Sequence, residues 1–184
     1  MKNTRFQSDK RTASLIVAQA GIMAALVAVA TFLIQIPIPA TKGYLNFGDI
    51  VIFASALTFG PIVGGFAGGV GSAISDIVSG YAYFSPFTLI IKGVEGLLAG
   101  LIANRISGKR DIIAVVIGGA EMVIGYFIAE FFGLSEGWTA LGEVPFNILQ
   151  VTVGGIIGIA IALLLRRRFP ETWIGSRRKS PQPT

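Results

Sequence analysis

The sequence predicts an all-α integral membrane protein: a compact bundle of six transmembrane helices with both termini on the cytoplasmic side. Three observations carry this expectation. First, 53% of the 184 residues are hydrophobic and 14% are charged, with a mean hydropathy of +0.72; a soluble domain carries about 25% charged residues. Second, the stretch Gly43–Gly96 is apolar and rich in glycine, yet holds Asn46, Asp49, Asp76, Lys92 and Glu95. Ionisable groups in a membrane segment are costly and face a cavity or a partner, so this stretch predicts closely packed helices around a polar site. Third, of fifteen basic residues, all but Lys42 and Lys92 fall in three clusters: Lys2–Arg11, Arg105–Arg110 and Arg166–Lys179. An even number of crossings between successive clusters puts all three on the inner side, as the positive-inside rule requires. Six helices satisfy this and five do not.

Each element has its own signal. Leu15–Ile34 is twenty residues without a charge, about 30 Å as a helix and enough to cross the hydrocarbon core. It is too long for a signal-peptide apolar region and is read as a retained first helix. Pro37 and Pro39 end it, and Ile36–Asn46 forms a loop. Gly48–Ser79 is too long for one crossing, and Gly60-Pro61 divides it into helices at about 48–59 and 61–79, with proline opening the second. Gly60, Gly64 and Gly68, with Gly65 and Gly69, make small-residue faces for close crossing. The aromatic loop Gly80–Ser85 precedes a fourth helix from Pro86 to about Asn104. Helix five covers Ile112–Phe132 and carries Glu121 and Glu130; helix six covers Val144–Leu165 and carries Asn147 and Gln150. The chain thus divides into a basic N-terminus (1–11), a membrane domain (12–168) and a basic tail (169–184).

Several chemistries are disfavoured by what the chain holds. It has no cysteine and no histidine, which removes thiol chemistry, the usual zinc sets and histidine acid–base catalysis. Gly133–Gly137 matches the G-x-S-x-G elbow, but that motif works with a histidine base. Ala103–Arg110 approaches a phosphate-binding loop without its first glycine or final Ser/Thr. The net charge of +5 resides in the topology clusters, which suits an anionic inner membrane surface and not nucleic acid. The chain therefore reads as a binding protein and not an enzyme, with no cofactor and no metal.

The candidate ligand residues are Asn46, Asp49, Tyr83, Lys92, Glu95, Glu121, Tyr126, Asn147 and Gln150. Lys92 and Glu95, three apart, share a helix face and can pair. Asp49 opens helix two, where a carboxylate caps amides or binds ligand. Asp76, near a helix C-terminus, is electrostatically disfavoured there and calls for a partner or ligand. Glu121 and Glu130 are about 13–14 Å apart along helix five, so one can line a pocket while the other lies nearer the outer surface. Asn147 and Gln150 suit an amide clamp for a heterocycle, or a helix–helix hydrogen bond in lipid. Two tyrosines, two amides, a lysine and carboxylates, without arginine, argue against a strongly anionic ligand and favour a small neutral or weakly basic heteroaromatic. On helix one, Ala20, Ala24 and Ala28 form a small-residue stripe that serves either packing in this chain or the approach of another protein's helix.

Residues 12–168 resemble the substrate-binding membrane subunits, or S-components, of energy-coupling factor (ECF) vitamin transporters, most of all the riboflavin- and hydroxymethylpyrimidine-type group. The resemblance rests on Gly43-Tyr44-Leu45-Asn46-Phe47-Gly48-Asp49, Phe59-Gly60-Pro61, Gly71-Ser72-Ala73 with Asp76, Ser79-Gly80-Tyr81, and Pro86-Phe87-Thr88 running to Lys92-Gly93-Val94-Glu95-Gly96. It implies a multi-pass protein of a prokaryotic cell membrane that binds a B-vitamin or precursor near the outer face. It also implies partners: a transmembrane coupling subunit carrying two cytoplasmic ATPases, with Ala20, Ala24 and Ala28 as the docking stripe. Ile36–Asn46 becomes a lid over the pocket. The alternative is a small-molecule transporter that works without ATPase partners.

Overall fold

The computed structural model describes residues 2–38, 41, 43–103, 108–134 and 137–168. Pro39 and Lys42 of the expected lid, Arg105 of the basic loop, Ser135 and Glu136 of the elbow-like string, and the tail lie outside these residues.

Six α-helices follow in order: α1 (Lys2–Leu33), α2 (Gly48–Phe59), α3 (Pro61–Val78), α4 (Ser85–Ile102), α5 (Gly108–Ile128) and α6 (Val144–Arg168). Five segments are long and apolar enough to cross a membrane; α2, with 12 residues, is the short one. At about 18 Å it falls short of the hydrocarbon core, and it is wrapped by its neighbours, with Ile52, Phe53 and Leu57 fully buried. Helix α1 starts at Lys2, well before Leu15, where the expected charge-free span begins. At 32 residues it reaches about 48 Å, so it extends beyond the core.

The break between α2 and α3 falls where the sequence places it. Gly60 has φ 97°, a left-handed conformation that glycine alone adopts freely, and Pro61 begins α3. From there the glycines bring backbones together. A methyl group at Gly64 would lie 2.5 Å from Ala56 Cβ, and one at Gly69 would lie 2.6 Å from the Leu89 carbonyl oxygen. With no gain from hiding apolar surface inside lipid, such packing is what holds membrane helices together. Helices α3 and α4 are therefore the tightest pair. Across the bundle, a methyl at Gly154 of α6 would lie 2.6 Å from Asp49 Cβ of α2, which fixes α6 against the start of α2.

The expected loop between α1 and α2 contains an antiparallel hairpin, β1 (Gln35–Pro37) and β2 (Tyr44–Asn46), paired Gln35↔Asn46, Ile36↔Leu45 and Pro37↔Tyr44. After α5 the chain makes a π-helical turn at Ala129–Gly133 and a 3₁₀ turn at Gly137–Gly142. These segments cap one end of the bundle, the end opposite the basic clusters.

The opposite end is closed by an ion pair. Arg166 donates to both oxygens of Asp111, at 2.7 and 3.1 Å, and to the Leu57 carbonyl. That carbonyl belongs to the last turn of α2 and has no partner along its own helix. Arg166, expected only as a topology charge, thus ties α2, α5 and α6 together.

The small-residue stripe of α1 lies largely within the bundle. Ala20 and Ala24 are buried at 7% and 6% exposure, and Ala24 packs with Val27, Ile52 and Ala67. A methyl at Gly71 of α3 would lie 2.5 Å from the Ala24 carbonyl oxygen. Ala28 is half-buried. The stripe is spent on packing within this chain, and the small residues α1 turns outward are Ala18, Gly21 and Ala25.

Candidate functional site: a polar cavity beneath the hairpin

The fold gathers polar side chains from five helices and the hairpin under one roof. Thr31, Gly43, Tyr44, Asn46, Ser72, Asp76, Phe84, Thr88, Lys92, Tyr126, Glu143, Asn147 and Gln150 line a cavity of about 30 Å³. That space is far smaller than a ring-sized ligand needs, so a ligand of that size fits only if the lining moves apart.

The floor is Lys92, 2% exposed, from the middle of α4. Its ammonium donates to Asp49 of α2 and, at 2.9 Å, to Glu95 one turn along its own helix. Tyr126 of α5 lies over it, with the ring centroid 5.8 Å from Nζ, and donates its hydroxyl hydrogen to Thr88 at 3.1 Å. Asp49 also accepts from Gln150 Nε2 at 3.2 Å. Gln150 turns its carbonyl oxygen to the Asn46 backbone N–H at 2.8 Å, which moors the hairpin to α6. Asn46 Oδ1 in turn accepts the Gly48 N–H at 2.9 Å. The helix-start amide is therefore satisfied by Asn46, and Asp49 faces inward to the lysine.

The hairpin is latched at three further points. Tyr44 donates to Asp76 at 2.5 Å, Thr41 to Glu143 at 2.8 Å and Gln35 to Ser79 at 2.8 Å. The Tyr44 ring also packs on Tyr81, with centroids 4.6 Å apart. Burial, and then the neighbouring Asp76 carboxylate, push the Tyr44 hydroxyl well above the usual tyrosine range, so it stays a donor. Gly43 permits closure, because a side chain there would occupy the place of the Glu143 carboxylate.

Of the residues singled out in the sequence, Asn46, Lys92, Tyr126, Asn147 and Gln150 line the cavity. Asp49 and Glu95 stand behind Lys92 as its anchors. Glu121 is half-buried on α5, close enough to act electrostatically on Glu95, but it does not line the space. Tyr83 lies outside the cavity lining: it is 43% exposed and packs its ring on Tyr81 and Phe84. The tight turn before α4 sends Phe84 inward in its place. Glu130 is fully buried in the π-helical turn, apart from the cavity lining.

Asn147 is 7% exposed, and its side-chain amide has no hydrogen-bond partner among the described residues. It therefore presents a free donor and a free acceptor to the cavity. Reasoning from sequence passed over Glu143, Thr88, Thr31 and Ser72. A signal existed for two of them: Glu143, Asn147 and Gln150 lie at i, i+4 and i+7, as do Thr88, Lys92 and Glu95, which puts each set on one helix face.

A larger space of about 250 Å³ lies between the hairpin, α2 and α6, walled by Ile36, Leu45, Phe47, Ile50, Leu149 and Val153. Only Asn46 and Gln150 at its border supply side-chain polarity. A specific site needs several convergent polar groups, so the smaller cavity is the functional candidate.

Comparison with known proteins bears on the same residues. The profile of the family described as ECF-type riboflavin transporter, S component, matches residues 12–167. An uncharacterised protein of Pyrococcus woesei is 45% identical over 144 residues, covering 78% of this chain and 96% of that protein. The thiamine precursor transporter HmpT of Lactococcus lactis is 32% identical over 148 residues, covering 79% and 84%. Among solved structures, the S component of a bacterial ECF transporter superposes with a TM-score of 0.62 at 25% identity, over 83% of this chain and 94% of that one.

Proposed function

The chain belongs to the family of ECF-type riboflavin transporter S components, and from that premise we propose that it captures a vitamin or vitamin precursor at the outer membrane face. The observation that carries the proposal is the polar cavity beneath the latched hairpin, lined by the Asn147 amide, which has no hydrogen-bond partner among the described residues. Substrate enters when the hairpin lifts, stacks on Tyr126 and Tyr44, and takes hydrogen bonds from Asn147, Gln150 and the remaining Lys92 proton. A hydroxymethylpyrimidine- or pyridoxine-like molecule suits these groups, with riboflavin next; the Lactococcus relative, a thiamine precursor transporter, supports the first.

In this reading the protein is a multi-pass subunit of the cell membrane that delivers its cargo inward by docking on a transmembrane coupling subunit with two ATPases. The docking face moves from the buried alanines to the outward small residues Ala18, Gly21 and Ala25, which let a partner helix approach closely. Mass spectrometry of the small molecule that co-purifies with the protein identifies the cargo; a preparation that retains and binds no vitamin-like heteroaromatic sinks the proposal. Ala25→Trp should abolish ATP-dependent uptake while the isolated chain still binds substrate. Uptake by the chain alone in proteoliposomes would instead show a transporter without ATPase partners.

A further inference from the structure

Among the described residues, the carboxylates at the cavity outnumber its basic side chains. Lys92 is the one basic side chain that reaches it among the described residues, and its ammonium is already shared by Asp49 and Glu95. The ammonium therefore has no charge to spare for the other carboxylates at the cavity. Two more carboxylates form the cavity wall itself, Asp76 and Glu143, 3% and 4% exposed. Each has a neutral hydroxyl as its partner, Tyr44 and Thr41 respectively. A neutral donor satisfies geometry but leaves the charge in place, and in a site shielded from water that charge acts strongly on whatever enters. Three aromatic rings, from Tyr44, Phe84 and Tyr126, share the lining. Rings beside carboxylates, with no arginine, are the chemistry that receives an organic cation. Asn147 adds a free amide to orient it.

We infer that the substrate carries a positive charge when bound: a heteroaromatic with a protonated amine or ring nitrogen, or a quaternised ring, whose charge sits between Asp76 and Glu143. This rests on the binding function proposed above and narrows its substrate class from neutral heterocycles to cationic ones. A neutral molecule of the same shape would meet the same hydrogen bonds but leave the excess charge uncompensated.

The test uses the full-length chain, purified in detergent, and probes matched in size. One is a 4-amino-5-hydroxymethylpyrimidine methylated on a ring nitrogen, hence a permanent cation; the other is the same ring methylated on carbon, hence uncharged at pH 7.5. Isothermal titration should show the cation binding at least about tenfold more tightly. That ratio should shrink several-fold in Asp76→Asn and again in Glu143→Gln. Reading the ratio cancels any loosening of the hairpin, because both probes need it closed. A neutral probe that binds as well as the cation, with a ratio unmoved by either variant, overturns the charge assignment and leaves the vitamin-binding function standing. Binding of neither probe also overturns the charge assignment, while the vitamin-binding function is decided separately by the molecule that co-purifies.

Discussion

Charge is buried at both ends of the bundle, and the two ends handle it in opposite ways. At the inner end one arginine meets one aspartate, Arg166 with Asp111, and the spare donor finds the Leu57 carbonyl. The charges cancel, and of the guanidinium nitrogens only Nε is left without a partner among the described residues. At the outer end one lysine serves two carboxylates, further carboxylates line a cavity, and the Asn147 amide has no protein partner among the described residues. A balanced pair without a cavity holds helices together. An unbalanced, unfinished one beside a cavity is what a binding site looks like before its ligand arrives. Burial alone would not separate them, since Asp111 and Glu95 are both at 0% exposure.

The most damaging way to break this contrast is to remove Lys92. Lys92→Met strands Asp49 and Glu95 in the interior without their counter-ion, and losing one partner of a buried ion pair costs about 3–5 kcal/mol. For a domain of this size that lowers the unfolding temperature by roughly 6–20 °C, and ligand binding is lost with it. Thermal unfolding in detergent, followed by tryptophan fluorescence, reports the first effect. A variant as stable as the parent would mean that the carboxylates are held by protons and not by the lysine.

Asp111→Asn attacks the balanced end. Arg166 keeps its bond to Leu57 and some contact with water, its side chain being 10% exposed, so the cost is smaller, about 2–3 kcal/mol. The informative readout is the dissociation of two properties: stability should fall while ligand affinity stays within about twofold of the parent. A matching loss of affinity would show that the inner clamp reaches the outer site, and the two ends would no longer be independent.

Asn147→Ala should show the reverse pattern. The amide bonds nothing among the described residues, so its removal should leave stability nearly unchanged. A lost hydrogen bond to a buried ligand costs about 1–3 kcal/mol, or roughly 5- to 150-fold in affinity. Titration of the co-purifying ligand into the stripped variant measures this. Unchanged affinity would take Asn147 out of the ligand's reach.

How much of this contrast the sequence discloses depends on the kind of signal. The break at Gly60-Pro61 is legible because glycine and proline leave few backbone alternatives. The floor of the site is legible too, since a lysine and a glutamate three apart in an apolar helix have nowhere to go but inward together. The facing of α1 is not. Ala18, Ala20, Gly21, Ala24, Ala25 and Ala28 surround the helix with small residues, so no phase can be read, and only the position of Gly71 on α3 decides that Ala24 points inward. The hairpin is hidden for another reason: strands of three residues, one containing Pro37, carry too little periodicity to be seen. Glu143 and Thr41 join the site only because that hairpin folds over it. The place of Tyr83 outside the lining is hidden for a similar reason, since a turn of a few residues decides whether it or Phe84 faces in.

The smallest effect is expected at the latch between the hairpin and the 3₁₀ turn, and it sharpens the contrast by adding motion to one end alone. Thr41 donates to Glu143 at 2.8 Å across the cavity mouth. Thr41→Val preserves the shape and removes the donor, and a hydrogen bond to a charged acceptor of this kind contributes about 1.5–3 kcal/mol at most. The Tyr44–Asp76, Gln35–Ser79 and Asn46–Gln150 bonds remain, so the hairpin still closes and the fold keeps its stability. What changes is the balance between closed and lifted states, and with it the rate at which ligand leaves. Stopped-flow displacement should show dissociation accelerated by a few-fold up to about a hundredfold, with little change in association, which already starts from the lifted state. The same substitution should leave the inner clamp untouched, so Thr41→Val combined with Asp111→Asn should be additive in stability. An unchanged dissociation rate would mean that the remaining latches hold the hairpin without Thr41, and the gate would then have to be sought at Tyr44 and Asp76.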